Sequence, residues 1–271
     1  MKTRIIAAAV LVPVLFIVVL AAHEIASAII LGMLLAIAAY ELLYRTGLVT
    51  HTRLVIYCAM MAFAISMWSY WGAARAYFLL MLLVFFMLLF AEMMQDHIKV
   101  HFETLGMCFV AGVIIPYMLS SLIRILMLNY GRYVILIPFV VAFTSDAGAY
   151  FVGLKFGKHK LAPVVSPNKT IEGVFGGMAA AVVSMLIYAL ILNLGFKFRV
   201  NYGIALLYGF IGSLAGTFGD LCFSVIKRQT GIKDYGNLIP GHGGALDRFD
   251  SLTVVAPLME SMILLLPVII L

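Results

Sequence analysis

Residues 172–195 read EGVFGGMAAAVVSMLIYALILNLG. One charge, Glu172, opens the stretch and no other follows it. The hydrocarbon core of a bilayer is about 30 Å thick and takes about 20 apolar residues of helix to cross. In lipid the backbone must satisfy its own polar groups, which a helix does within one segment. A barrel strand would alternate apolar and polar residues. This stretch does not alternate, so it reads as a membrane-spanning helix.

Runs of the same kind lie on both sides of it, at 5–22, 25–44, 54–71, 76–92, 104–123, 133–153, 203–226 and 252–271. The expected fold is therefore all-α, a polytopic helical membrane protein with about nine spans. Only His23 and Glu24 divide the first two, so a tight helical hairpin is the alternative there. The composition agrees. The 271 residues are 65% hydrophobic and 11% charged, against roughly 25% charged in soluble domains. Met1–Arg4 followed by an apolar run to Ala22 resembles a signal peptide. The run exceeds the 7–15 apolar residues of a cleaved signal and is read as a retained first helix.

The net charge of +6 fits anchoring beside anionic lipid rather than nucleic-acid binding. With the N-terminus inside, 13 of the 18 basic residues fall on the cytoplasmic side. That bias sets the expected orientation. It places the polar loops 154–171 and 227–251 in the cytoplasm of a multi-pass inner-membrane protein. Cys58, Cys108 and Cys222 lie in apolar segments without CxxC spacing and read as small buried side chains.

Polar chemistry is concentrated in the second half. Residues 1–130 read as scaffold, membrane anchor or oligomer interface, which leaves room for a homodimer. Residues 131–271 read as the catalytic part. Asp146 falls inside a span, where ionisable groups are expensive and mark function. Tyr150 shares its helix face, and Ala147, Gly148 and Gly153 permit close helix approach. The run Lys155 to Gly177 is basic and broken by prolines, and carries Lys158, Lys160, Ser166 and Lys169. Thr170 then suits a helix start, where free N–H groups bind anions.

Ser224 to Asp250 is the densest stretch, with four cations, three carboxylates, one histidine and five glycines in 27 residues. Asp220 precedes it, with Ser224 and Lys227 at i+4 and i+7 on the same helix face. Asp220, Asp247 and Asp250 suit an oxygen-ligated divalent cation; Mg2+ takes one or two carboxylates plus water and substrate phosphate oxygens. The Gly-His242-Gly243-Gly244 turn lets backbone approach a ligand closely. It is no Walker A loop. Asp250 or Ser251 also suits the N-cap of the last helix. Among the remaining acids, Glu41 is placed to pair with Arg45 at i+4, and Glu260 lies deep in the last span. His97 and His101 share a face but read as solvated surface.

The pattern Ser224-x2-Lys227-Arg228-x4-Lys233-Asp234-x-Gly236-x2-Ile239-Pro240-x-His242-Gly243-Gly244-x2-Asp247-Arg248-Phe249-Asp250 resembles the signature of the phosphatidate cytidylyltransferases, also called CDP-diacylglycerol synthases. Gly157-Lys158-His159-Lys160-Leu-Ala-Pro163 with Ser166-Pro167-Asn168-Lys169-Thr170-x-Glu172-Gly173 resembles that family's second hallmark. Asn168 departs from it, standing where many members have a basic residue. The resemblance is strong over about 140–251; the first half matches in hydropathy alone.

It implies a reaction of CTP with phosphatidate that yields CDP-diacylglycerol and pyrophosphate, assisted by Mg2+ and room for an additional monovalent or second divalent ion. Asp220 and Asp247 are then the expected metal ligands, with Asp250 and Asp146 as further carboxylates. Lys169, Lys227, Arg228, Lys233 and Arg248 are the expected phosphate binders, beside Ser166, Ser224, His242, Gly243 and Gly244. The partners implied are CTP, phosphatidate and the bilayer, with no nucleic acid. A transporter would place its polar residues near the midplane, often in repeats. Here most of them sit at the cytoplasmic ends. An enzyme of CDP-alcohol chemistry would carry a DGxxAR-type run, which the sequence lacks.

Overall fold

A computed structural model describes residues 17–72, 75–96, 98–237 and 243–270. Seven helices in it are long and apolar enough to cross a membrane: α1 Glu24–Arg45, α2 Thr52–Trp71, α3 Ala76–Gln95, α4 Phe102–Leu126, α5 Gly131–Phe156, α6 Ile171–Phe196 and α7 Tyr202–Gln229. Two shorter helices follow, α8 Leu246–Phe249 and α9 Leu252–Leu265. The chain is a multi-pass helical membrane protein. Most of the expected first span lies outside the described residues; Ile17–Ala21 at its end form a π-helical turn. The quoted stretch is α6, extending one residue beyond it at each end.

Short strands decorate the helices. β1 Lys160–Ala162 and β2 Ser166–Thr170 form an antiparallel hairpin between α5 and α6. β3 Arg199–Val200 pairs with β4 Ile269–Ile270. The sequence reading took the 160–170 segment as loop. Its prolines at 163 and 167 cannot donate to a ladder, and such strands survive only as short edges.

The chain forms two compact units. The first comprises Met1–Asn129 and Gln229–Phe249, the second Tyr130–Arg228 and Asp250–Leu271. In the first, Ser66 on α2 donates its hydroxyl to the Ala28 carbonyl of α1 at 2.8 Å. That bond removes a polar group from lipid at a helix contact, a common use of serine in membranes. Cys58 and Cys108 are fully buried there as apolar side chains.

In the second unit, α5 and α6 pack backbone to backbone. A Cβ added at Gly148 would lie 2.8 Å from the Gly176 carbonyl oxygen and 3.2 Å from the Gly177 Cα. Glycine is the residue that admits this approach, as anticipated for Gly148. Nearby, the Ser145 and Ser213 hydroxyls meet at 2.7 Å, tying α5 to α7. Tyr208 of α7 is fully buried and donates to the Leu266 carbonyl at 2.7 Å. These contacts join α5 to α6 and to α7.

Candidate active site

The first turn of α6 anchors the hairpin. Thr170 is its N-cap, and the hydroxyl accepts the Gly173 N–H at 3.1 Å. Glu172 reaches back along the same turn. Its carboxylate accepts the Lys158 N–H at 3.1 Å and the His159 N–H at 3.2 Å, and meets His159 Nδ1 at 2.6 Å. One helix start thus holds the beginning of the hairpin as well as its end.

That clamp sets the place of Lys169, in the last positions of β2. Its Nζ lies 2.5 Å from Asp220 Oδ2 on α7. Ser224, one turn on, donates its hydroxyl to Asp220 Oδ1 at 3.3 Å. The next turn carries Lys227, 3.9 Å from Asp250 Oδ2. Asp220, Ser224 and Lys227 therefore form the single helix face that their spacing predicts. Arg228 follows them. Its Nε donates to the Val165 carbonyl in the hairpin turn at 3.1 Å, and its terminal amino groups have no partner among the described residues. Ser166 is half-buried on β2, and Lys158 and Lys160 are exposed.

Asp250 is the most perturbed carboxyl outside the spans. Burial first, and then the Asp220 charge, push it up to about 7; Lys227 opposes the shift and Asp146 adds to it. Asp146 itself is exposed on α5. Asp250 Oδ1 accepts the Ser251 N–H at 2.9 Å. Ser251 occupies the N-cap of α9 but makes no side-chain cap bond.

These carboxylates bear on the expected divalent cation. The donor set is all oxygen, which a hard cation prefers. Crowded carboxylates under mutual repulsion are stabilised by positive charge. Among the described residues no three Asp, Glu, His or Cys side chains converge as a complete cage. An ion of the Mg2+ type asks for only one or two such carboxylates, because it keeps water and substrate oxygens in its shell.

The first unit holds the other part of the signature. Asp247 is buried on α8, and its Oδ2 accepts the Tyr235 N–H at 2.8 Å and the Gly244 N–H at 2.9 Å. Gly243 stands at φ +82° beside that carboxylate, a conformation natural to glycine. Lys233, Asp234 and Arg248 are exposed. His242 lies outside the described residues. Asp220 belongs to the second unit and Asp247 to the first.

Glu41 departs from the sequence reading. In place of Arg45, it faces the signature loop: its carboxylate accepts the Ala245 N–H at 3.1 Å and the Leu246 N–H at 3.0 Å. The signal was present in the sequence as a lone charge at the end of an apolar run. Its partners were not, because they are backbone amides. Glu172 stands in the sequence only as part of a helix start; its backward reach to the His159 amide and ring spans 13 residues, which helical spacing does not mark.

The model of the Cytidylyltransferase family matches residues 2–266. The chain is 43% identical over 134 residues to the phosphatidate cytidylyltransferase of Staphylococcus epidermidis, covering 49% of this chain and 50% of that protein. It is 44% identical over 134 residues to the enzyme of that name from Staphylococcus aureus, with the same coverage. With that of Bacillus subtilis it shares 42% over 159 residues, 58% of each chain. The chain thus spans about half the length of the curated relatives it matches.

Proposed function

The chain belongs to the Cytidylyltransferase family, and on that premise we propose that it transfers the cytidylyl group of CTP to phosphatidate. A phosphate oxygen of phosphatidate forms a new bond to the α-phosphorus of CTP. The bond from that phosphorus to the bridging oxygen of the β-phosphate breaks, and pyrophosphate leaves. The products are CDP-diacylglycerol and pyrophosphate. The nucleophile is already an anion, so the chemistry needs positioning and charge neutralisation more than a strong base.

The observation that carries this reading is the charge cluster at the ends of the second unit's helices, with Lys169 on Asp220 and Lys227 on Asp250. Four charges at the edge of an apolar frame are costly as packing and suited to phosphate. Lys169 and Lys227 neutralise phosphate oxygens, each held at a fixed place by its carboxylate. Arg228 offers its terminal amino groups as a fork to a phosphate. Lys233 and Arg248, exposed to water, attract the nucleotide electrostatically. Ser166, Ser224, Gly243, Gly244 and His242 are assigned to substrate binding. Asp220 and Asp247 are the proposed ligands of Mg2+, with Asp250 and Asp146 as further carboxylates. When bound, such an ion would supply positive charge to offset the charge that develops on pyrophosphate. A second divalent or a monovalent ion is compatible with this donor set.

In the chain, two spans, α6 and α7, separate the loops at 157–170 and 230–251, which we assign to one side of the bilayer. We assign that side to the cytoplasm of the inner membrane, where CTP is found. Lipid substrate arrives laterally from the bilayer. Residues 131–271 carry most of the chemistry, and the earlier part serves as scaffold with room for a homodimer.

Purified protein in detergent, supplied with labelled CTP, phosphatidate and Mg2+, tests the reaction. Label is expected in the organic extract, with none when phosphatidate is omitted or EDTA is added. Extractable label independent of phosphatidate, or no label at all, overturns the assignment.

A further inference from the structure

Glu41 is 3% exposed, at the π-helical end of α1. Charged side chains are seldom buried so deeply unless paired. Its partners are two consecutive backbone amides, with Oε1 on Ala245 and Oε2 on Leu246. Those amides open the short helix that carries Asp247 and Arg248. The amide just before them, Gly244, is taken by Asp247 itself. Three successive N–H groups are thus held by two carboxylates, one from α1 and one from α8. Successive amides of this kind form an anion-binding concavity.

Two glycines of the signature owe their identity to the same side chain. A Cβ added at Gly236 or Gly244 would run into the Glu41 carboxylate. Both glycines keep space for a side chain that the sequence places far away. The loop therefore contributes shape as well as amides, and the contact joins its two ends, near 236 and near 244.

We propose that Glu41 is a positioning residue, which pins the signature loop so that Asp247 and Arg248 are presented in one register. Glu41 touches no substrate; it acts through the backbone of residues 244–246. Its charge matters because both of its oxygens accept. Glutamine at this position would turn an N–H2 group toward one of the amides, leaving that amide buried without an acceptor. Aspartate keeps the charge but falls one methylene short. The role in turnover rests on the proposed cytidylyl transfer; the pinning itself does not.

The test uses the full chain in detergent, as wild type, Glu41→Gln, Glu41→Asp and Gly244→Ala. Backbone hydrogen exchange of the 243–250 peptide is followed beside that of 171–196, an internal control. Turnover is measured against CTP, phosphatidate and Mg2+ concentrations. In Glu41→Gln and Gly244→Ala, exchange at 243–250 should rise at least tenfold while 171–196 stays as in wild type. Their kcat should fall at least tenfold, with the Mg2+ concentration for half-maximal rate raised. Glu41→Asp should recover part of both. Unchanged exchange and kcat in Glu41→Gln overturn the proposal. So does a rise in exchange across both peptides, with a lowered Tm and an unaltered Mg2+ requirement, which marks general packing. If wild type lacks the transferase activity, the function above fails while exchange still decides the pin.

Discussion

Lys169 Nζ lies 2.5 Å from Asp220 Oδ2, which joins the hairpin before one spanning helix to the face of another. Neither side chain is deeply buried, at 23% and 29% exposure. Partly exposed pairs contribute at most about 1 kcal/mol to stability. The contact is therefore better understood as holding an ammonium group in place than as holding the fold together.

That distinction is measurable. Lys169→Ala should leave Tm within a few degrees of wild type and lower turnover at least tenfold, about 1.4 kcal/mol of transition-state stabilisation. Thermal unfolding and lipid-extractable label, on the same preparations, check it. A lowered Tm with normal turnover would make the pair structural.

Lys227→Ala and Arg228→Ala should each reduce turnover at least tenfold, by the same conversion of about 1.4 kcal/mol. Lys99→Ala is the comparison, since Lys99 is 77% exposed and pairs locally with Asp96 at 3.4 Å. Small and equal effects at the three positions would reduce the loop cations to membrane anchors.

Asp220→Asn and Asp247→Asn should each abolish most activity at any Mg2+ concentration while Tm stays near wild type. An asparagine oxygen at 247 can still accept the Tyr235 and Gly244 amides. Asp247→Ala cannot, and each buried amide left without a partner costs about 1–3 kcal/mol. Its Tm should fall as well. Near-normal turnover in either Asn variant removes that aspartate from the ligand set.

Asp250 predicts a pH dependence of stability in the presence of EDTA. Its carboxyl titrates at about 7 in the folded protein against an ordinary value of 3.8. The folded state then binds the proton more tightly than the unfolded state. The part of the stability that Asp250 carries should be greatest below about pH 4 and fall as pH rises toward about 7, then level off. Comparing Tm at several pH values for wild type and Asp250→Asn isolates the group, because the variant should lose that part of the slope. An identical slope in both would refute it.

Membrane orientation is tested by cysteine labelling with an impermeant reagent. Arg199→Cys should react from outside intact cells and Lys158→Cys only after permeabilisation. The reverse pattern inverts the assignment.

How far the sequence reaches depends on the kind of interaction. The face made by Asp220, Ser224 and Lys227 was legible because helical spacing alone aligns these residues. The N-cap at Thr170 was legible because it is local, three residues from the amide it accepts. The hairpin at 160–170 was obscured by its prolines, and the Glu172 bonds that anchor it fall on the amides of Lys158 and His159 just before its first strand.

By itself the sequence determined that this chain crosses membranes as helices, and that its polar chemistry gathers at 140–251. Both follow from properties that each segment carries alone: apolar length against bilayer thickness, and charge against the cost of burying it. Tertiary structure decided which cation meets which carboxylate, and that Glu41 serves the signature loop. Those contacts join distant parts of the chain, and many end on backbone amides. Every non-proline residue has such an amide, so no side-chain pattern marks the ones that folding brings to Glu41.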